Sequence, residues 1–307
     1  MVRREGLEPT SLAAPEPKSG ASTNSATFAA FSGTEKRDKN NVLYLRVSVG
    51  HYENFPVASL LLPSRLRAPI ATLYRFARGA DDIADEGDAP SEIRLQKLKS
   101  YRAQLEAPAE PLFHDLARII REHALPKRLF TDLLDAFAQD IRKRRYTNYA
   151  ELLDYCRRSA NPVGRLLLYL FKQTTDSNLA CSDAICTALQ LINFCQDIDV
   201  DYAKGRVYLP QDEMAQYGVS ERHLHEKTAD APWRALMAFQ VERTRRLMLS
   251  GAPLGRALPG RIGLEIRATI QGGLRILQKI ERADYDVFRR RPVLRGFDWP
   301  LLLLKAV

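Results

Sequence analysis

The sequence predicts an all-α fold. Three observations carry that expectation: apolar residues recur at helical spacing from about Val42 onward, alternating patterns suited to half-buried strands are scarce and short, and no Gly/Ser linker or fixed-period repeat divides the body. One domain over 41–307 follows, and a chain of 307 residues with 45% hydrophobic content can fill a large core.

Residues 1–40 read differently. They are rich in Ser, Thr, Ala, Gly, Pro and charge without an apolar period, so this tail is expected to be disordered. A transit peptide is a second reading, opposed by Glu5, Glu8, Glu16, Glu35 and Asp38 because such peptides are poor in acids. The stretch "PIATLYRFARGA" predicts a helix packed inside the protein through Ile70, Leu73, Tyr74, Phe76 and Ala77. In "SEIRLQKLKSYRAQLEA" the apolar positions are Ile93, Leu95, Leu98, Tyr101 and Leu105, with Ser91 the expected N-cap. "EPLFHDLARIIREHAL" and "LFTDLLDAFAQDI" repeat that design on either side of Pro126. "ALQLINFCQ" is apolar apart from Gln190, Asn193 and Gln196, which suits a buried helix. "KGRVYLP" reads as the one hairpin-like exception.

Composition narrows the functional classes. Lys and Arg outnumber Asp and Glu by 46 to 37, and the resulting charge of +9 suits a polyanionic ligand, an anionic membrane or a nucleic acid. No nucleic-acid motif accompanies it. Cys156, Cys181, Cys186 and Cys195 form no CxxC pair and follow no secretory signal, so reduced thiols in a cytoplasmic helical core are expected. No run of about 20 apolar residues is present to span a bilayer. The C-terminal "FRRRPVLRGFDWPLLLLKAV" joins Arg289, Arg290, Arg291 and Arg295 to Trp299 and four consecutive leucines, which suits either a packed terminal helix or peripheral contact with the inner face of the cell membrane.

The chemistry is concentrated in "ARGADDIADEG". On a helix Asp81 and Asp85 stand one turn apart, with Cβ atoms about 5–6 Å from each other, and so repel unless a cation completes them or solvent screens them. The arrangement recurs at Asp197 and Asp201, with Asp199 between, again after apolar turns. Hard oxygen ligands without His or Cys favour Mg²⁺ or Mn²⁺, and Mg²⁺ is commonly held by one or two carboxylates plus substrate phosphates. Arg67, Arg75 and Arg78 precede the first pair, and Lys204 and Arg206 follow the second. Of these, Arg78 and Arg206 are the favoured phosphate contacts, whereas Arg75 is expected to pair locally or face solvent.

"HYENFPVAS", "LPSRLRAPIATLYRFARGADDIAD", "YCRRSANPVG" and "LQLINFCQDIDVDYAKGRVYLP" together resemble the head-to-head prenyl synthases, the family of squalene and phytoene synthases. The resemblance covers nearly everything after residue 45. It implies the isoprenoid synthase fold, a single all-α domain with a central hydrophobic cavity capped by two aspartate clusters. It makes Asp81, Asp85, Asp197 and Asp201 the Mg²⁺-binding acids, with Asp82 and Asn193 as supporting polar positions. Arg78 and Arg206 would contact diphosphate, and Gln190, Tyr74, Tyr155 and Tyr208 would line the site. Tyr52, Phe55, Tyr74, Phe76 and Phe194 offer faces to a carbocation or pack the core, and His51 positions water or diphosphate or makes a structural hydrogen bond.

Gln196 and Val200 replace the Arg and Glu of many relatives, "SANPVG" replaces a glycine-richer version, and Gly273 stands where several relatives carry tyrosine. These departures are most similar to the bacterial hydroxysqualene synthases of squalene and hopanoid pathways. The resemblance then implies hydration of presqualene diphosphate without NADPH, between a sister synthase that makes the substrate and a flavin-dependent reductase that consumes the product. A squalene or phytoene synthase condensing two prenyl diphosphates is the alternative reading. A non-catalytic assembly factor would be expected to have eroded aspartates, and both clusters are intact here.

Overall fold

The computed structural model describes residues 63–85, 89–289 and 291–306, and the tail over 1–40 lies outside that range. Among the described residues every regular element is a helix and none is a strand. Helix α1 (Ser64–Asp85) buries Leu66, Ile70, Leu73, Ala77, Ala80, Asp81 and Ala84 at spacings of one to four, so the first acid continues the apolar face of its own helix.

Helix α2 (Ser91–Ala103) departs from expectation at its start. Pro90, in the extended region at φ −54° and ψ 152°, occupies the N-cap, and Ser91 is the first helical residue with no side-chain cap behind it. Leu98 and Leu105 of the anticipated stripe are buried, whereas Ile93 is 49% exposed. Helices α3 (Pro111–Glu122) and α4 (Lys127–Arg142) follow the expected pattern, α3 with proline in its first turn and α4 directly after Pro126. Phe76 of α1 meets Phe113 and Phe130 edge-on, at centroid distances of 6.1 and 5.4 Å, which locks α1 onto α3 and α4.

Helix α5 (Tyr149–Ser159) starts at Asn148, whose side chain accepts from the Glu151 N–H, and α6 (Asn161–Phe171) follows directly. Helix α7 (Asp176–Gln196) starts at Thr175, which accepts from the Asn178 N–H, and is buried without interruption from Ile185 to Gln196. A helix buried all round is a central one, and α7 is packed by α6, α11 (Ala231–Gly251) and α13 (Gly260–Arg282). Short α8 (Ile198–Ala203), α9 (Gln211–Gln216), α10 (Glu221–His225) and α12 (Leu254–Ala257) make the connections, and α14 (Asp298–Ala306) docks on α13.

The "KGRVYLP" segment does not form a hairpin. Its only pairing among the described residues is an isolated parallel bridge between Val207 and Arg145, with Val207 N–H donating to Arg144 at 2.9 Å. The partner is the extended segment that leaves α4, far away in sequence, so no local turn was available to pair it. Gly205 makes the approach possible at φ +75°, a conformation in which a side chain would be strained and would also crowd Arg144. All four cysteines are free, with Cys156, Cys186 and Cys195 buried.

Candidate active site

The C-terminal half of α1 carries Arg78, Asp81, Asp82 and Asp85, and the second acid group lies just past the end of α7, with Asp197 at the junction and Asp201 on α8. The two are tied together at Asp85, which pairs with both Arg206 and Lys204. Arg206 donates from Nη2 to Asp85 Oδ1 at 2.6 Å and from Nη1 to Oδ2 at 3.1 Å, and these side chains are 8% and 7% exposed. Lys204 stands 3.5 Å from the same carboxylate. On α1 itself Arg78 reaches Asp82 at 2.7 Å and Asp81 at 3.4 Å, whereas Arg75 is exposed and contacts Thr72 and Asp115.

The second pair differs from a simple one-turn repeat on a helix. Helix α7 ends at Gln196, Asp197 takes φ −105° and ψ 15°, and α8 restarts at Ile198, so Asp197 stands at the junction and Asp201 within α8. The Asp201 N–H still donates to Asp197 O at 2.8 Å, and the Arg206 N–H donates to Asp201 O at 2.8 Å. Asp201 is buried, and its Oδ2 has no hydrogen-bond donor. Burial, and next the charge of Asp197, push its carboxyl well above the ordinary range, against the opposing pull of Arg206 and Lys204. Asp197 is ion-paired with Arg291, and the Gln196 side chain donates to Pro292 O, so the C-terminal segment reaches back onto the site. Arg291, read in the sequence only as part of the basic C-terminal segment, is placed on the site by its pairing with Asp197, which only the tertiary fold reveals. Asp199 turns outward to Lys227 at 2.8 Å.

Below these acids lies a layer of aromatic side chains. Tyr155 donates to Asp140 Oδ2 at 2.7 Å and Tyr208 to Asp140 Oδ1 at 3.3 Å, while Tyr208 stacks on Phe194 with centroids 3.9 Å apart. Burial, and next the Asp140 charge, raise both phenols well above their ordinary value and keep them as hydroxyl donors. Tyr155 and Tyr208 are therefore packed core residues beneath the acids. A void of about 10 Å³, room for at most one water, is lined by Tyr208, Phe194, Asp201 and Arg206 among others. Asp140 had escaped notice in the sequence. Its signal was its register, because it falls on the buried face of α4 with Leu133 and Phe137.

The other anticipated residues have plain placements. Gln190 and Asn193 are buried on α7, with Asn193 O accepting from the Asp197 N–H at 2.8 Å. Tyr74 is half-buried against the core and Phe76 is packed within it. His51, Tyr52 and Phe55 lie outside the described residues. A groove of about 410 Å³ between α2 and α4, bordered by Glu92, Lys99, Arg102 and Arg142, is lined by none of these acids.

The donor set suits Mg²⁺ in one specific way. Among the described residues no three acids, histidines or cysteines form a ready-made metal cage. All the candidate charged ligands are carboxylates, and the buried Asp201 Oδ2 lacks a donor that a cation would replace. A cation there would be held by one or two carboxylates and completed by substrate phosphates, as Mg²⁺ commonly is.

Residues 49–298 match the family model described as squalene/phytoene synthase. The chain belongs to the squalene/phytoene synthase family. Members of this family are prenyl diphosphate synthases, and the helical architecture is their isoprenoid synthase fold. The hydroxysqualene synthase of Zymomonas mobilis is 38% identical over 243 residues, covering 76% of this chain and 81% of that protein. A hydroxysqualene synthase of Rhodopseudomonas palustris is 37% identical over 237 residues, covering 76% and 80%. The crystal structure of squalene synthase HpnC from Alicyclobacillus acidocaldarius is similar with a TM-score of 0.71 and 37% identity, covering 76% of this chain and 90% of that one.

Proposed function

We propose that this family member is a hydroxysqualene synthase, converting presqualene diphosphate and water to hydroxysqualene and diphosphate. The observation that carries the reading is the meeting of two acid clusters through Arg206 and Asp85, in a chain similar over three quarters of its length to proteins named hydroxysqualene synthase. Ionisation of an allylic or cyclopropylcarbinyl diphosphate needs developing negative charge met where the diphosphate departs. Arg206, Lys204 and Arg78 bring cationic groups to that place, and Asp81, Asp85, Asp197 and Asp201 are the acids that would hold Mg²⁺. Mg²⁺, when bound, supplies Lewis-acid neutralisation of the leaving diphosphate.

The carbocation left behind rearranges and is captured by water, whose proton is lost as the alcohol forms. Aromatic faces stabilise a cation without reacting with it, and Tyr52, Phe55 and Tyr74 are the proposed faces. Phe194 is engaged with Tyr208, so its role is to support the floor below the acids. At Gly273 a Cβ would come within 2.8 Å of Met248 Cε and 3.0 Å of Ile192 Cδ1, so a larger side chain there would have to displace both.

Condensation of two prenyl diphosphates is the second reading, favoured by the name squalene synthase carried by the similar crystal structure. The deciding experiment supplies the full chain with Mg²⁺ and no NADPH, with presqualene diphosphate in one reaction and farnesyl diphosphate in another, and identifies products by mass spectrometry. Hydroxysqualene from the first with farnesyl diphosphate untouched in the second is the expected result. Consumption of farnesyl diphosphate would replace hydration by condensation.

A further inference from the structure

Among the described residues six large apolar side chains are exposed, and three of them cluster at the C-terminus. Phe297, Leu301 and Leu304 are 67%, 38% and 76% exposed; Leu301 and Leu304, three apart, share a face of α14, and Phe297 stands in the turn just before it. The opposite face, Asp298, Leu302 and Ala306, is buried against the protein.

The helix is fastened firmly in this orientation. Asp298, itself buried, accepts from Arg275 Nε at 2.8 Å, Lys279 Nζ at 2.5 Å and the Arg295 N–H at 2.7 Å. At the other end Arg267 donates to Ala306 O and, at 2.7 Å, to Gly255 O. A terminal segment tied at both ends in this way presents its apolar stripe in a fixed geometry. The exposed charges that the C-terminal segment itself carries have one sign. From residue 287 to the end Asp298 is the only acid, and its charge is consumed by Arg275 and Lys279. Arg295 and Lys305 are exposed at the two ends, and Arg256, next to the Gly255 carbonyl that Arg267 ties to Ala306, is exposed beside the second end.

We infer that α14 is a docking surface for an anionic phospholipid bilayer, with Phe297, Leu301 and Leu304 entering the headgroup boundary and Arg295, Lys305 and Arg256 meeting lipid phosphates. A stripe this short gives weak burial alone, and basic side chains near an anionic surface supply the remainder. No helix among the described residues is long and apolar enough to cross a membrane, so the contact would be peripheral. Charge complementarity selects this occupant over a second copy of the chain, whose identical basic rim would oppose its partner across such a face.

The test is co-sedimentation of the full chain, without substrate, with phosphatidylcholine vesicles containing or lacking phosphatidylglycerol. It therefore stands whichever reaction the site performs. Wild-type protein should sediment with the anionic vesicles and lose binding in high salt. A Phe297→Ser, Leu301→Ser, Leu304→Ser variant, and separately Arg295→Glu with Lys305→Glu, should each partition about tenfold less or weaker still. All five side chains are exposed, and thermal unfolding of each variant checks that the fold is intact. Absence of wild-type binding at low salt, wild-type binding by both folded variants, or a dimer in gel filtration that the serine variant abolishes would each overturn the inference.

Discussion

Arg206 and Asp85, 121 residues apart in the chain, form a two-contact ion pair that joins the last turn of α1 to the segment following α8. Neither side chain has meaningful access to water, so the Arg206 charge depends on Asp85, which Lys204 also approaches. Removing one charge strands the other in the interior, which costs about 3–5 kcal/mol. Asp85→Asn should therefore lower stability by an amount of that order in urea unfolding as well as suppress turnover.

Asp197→Asn separates the two effects. Asp197 sits at a helix junction and pairs with the less buried Arg291, so its loss should leave the helical circular dichroism signal in place. On the proposed reading turnover should fall about a hundredfold or more, because an acid that would hold the cation meeting the leaving diphosphate is lost. A variant that unfolds instead would assign Asp197 a structural role.

Asp140 is expected to act through what it holds. Asp140→Ala leaves the buried Tyr155 hydroxyl without the acceptor it now has, at a cost of about 1–3 kcal/mol. A double-mutant cycle with Tyr155→Phe should show coupling between the two positions. Additive losses would mean that the 2.7 Å contact contributes little.

Glu265 gives a pH prediction. It is buried on α13, neither carboxylate oxygen has a hydrogen-bond partner, and burial raises its pKa from 4.5 to about 8. The folded state then binds more protons than the unfolded state between pH 4.5 and about 8, so stability falls as pH rises through that window. Urea midpoints for the wild type should decline from pH 5 to 8, and Glu265→Met should flatten the decline. An unchanged slope in the variant would mean that the fall arises elsewhere.

Two glycines should respond differently to alanine. At Gly273 the crowded atoms are the tips of Met248 and Ile192, which can yield, and the gain in helix propensity of about 1 kcal/mol offsets much of the strain. At Gly251 the added carbon would lie 2.6 Å from the backbone oxygen of Cys181, which cannot yield. Thermal unfolding should show Gly273→Ala near the wild type and Gly251→Ala destabilised by about 1–3 kcal/mol.

The helices and both acid groups were legible because burial imposes period on a helix. Leu66, Ile70, Leu73 and Ala77 announce a face, and Asp81 stands out by continuing it. Asp140 was equally legible in principle, since it occupies an apolar register in α4. What local pattern could not supply is contact across distance. The pairing of Val207 with Arg145, of Arg206 with Asp85 and of Arg291 with Asp197 joins segments between 62 and 121 residues apart, and no spacing rule reaches so far. Ser91 failed for a local reason, because Pro90 before it already set the helix entry.

The ion pairs also mean that the site is a market already in equilibrium before any substrate arrives. On the proposed reading, a diphosphate approaching Arg206 competes with Asp85, and a divalent cation approaching Asp85 competes with Arg206 and Lys204. Each newcomer alone must break a contact whose two halves it cannot both replace. Arriving together they replace both, anion on the guanidinium and cation on the carboxylate, so each should strengthen the binding of the other by the same factor. The protein would then answer weakly to free phosphates and to free metal, and strongly to the pair.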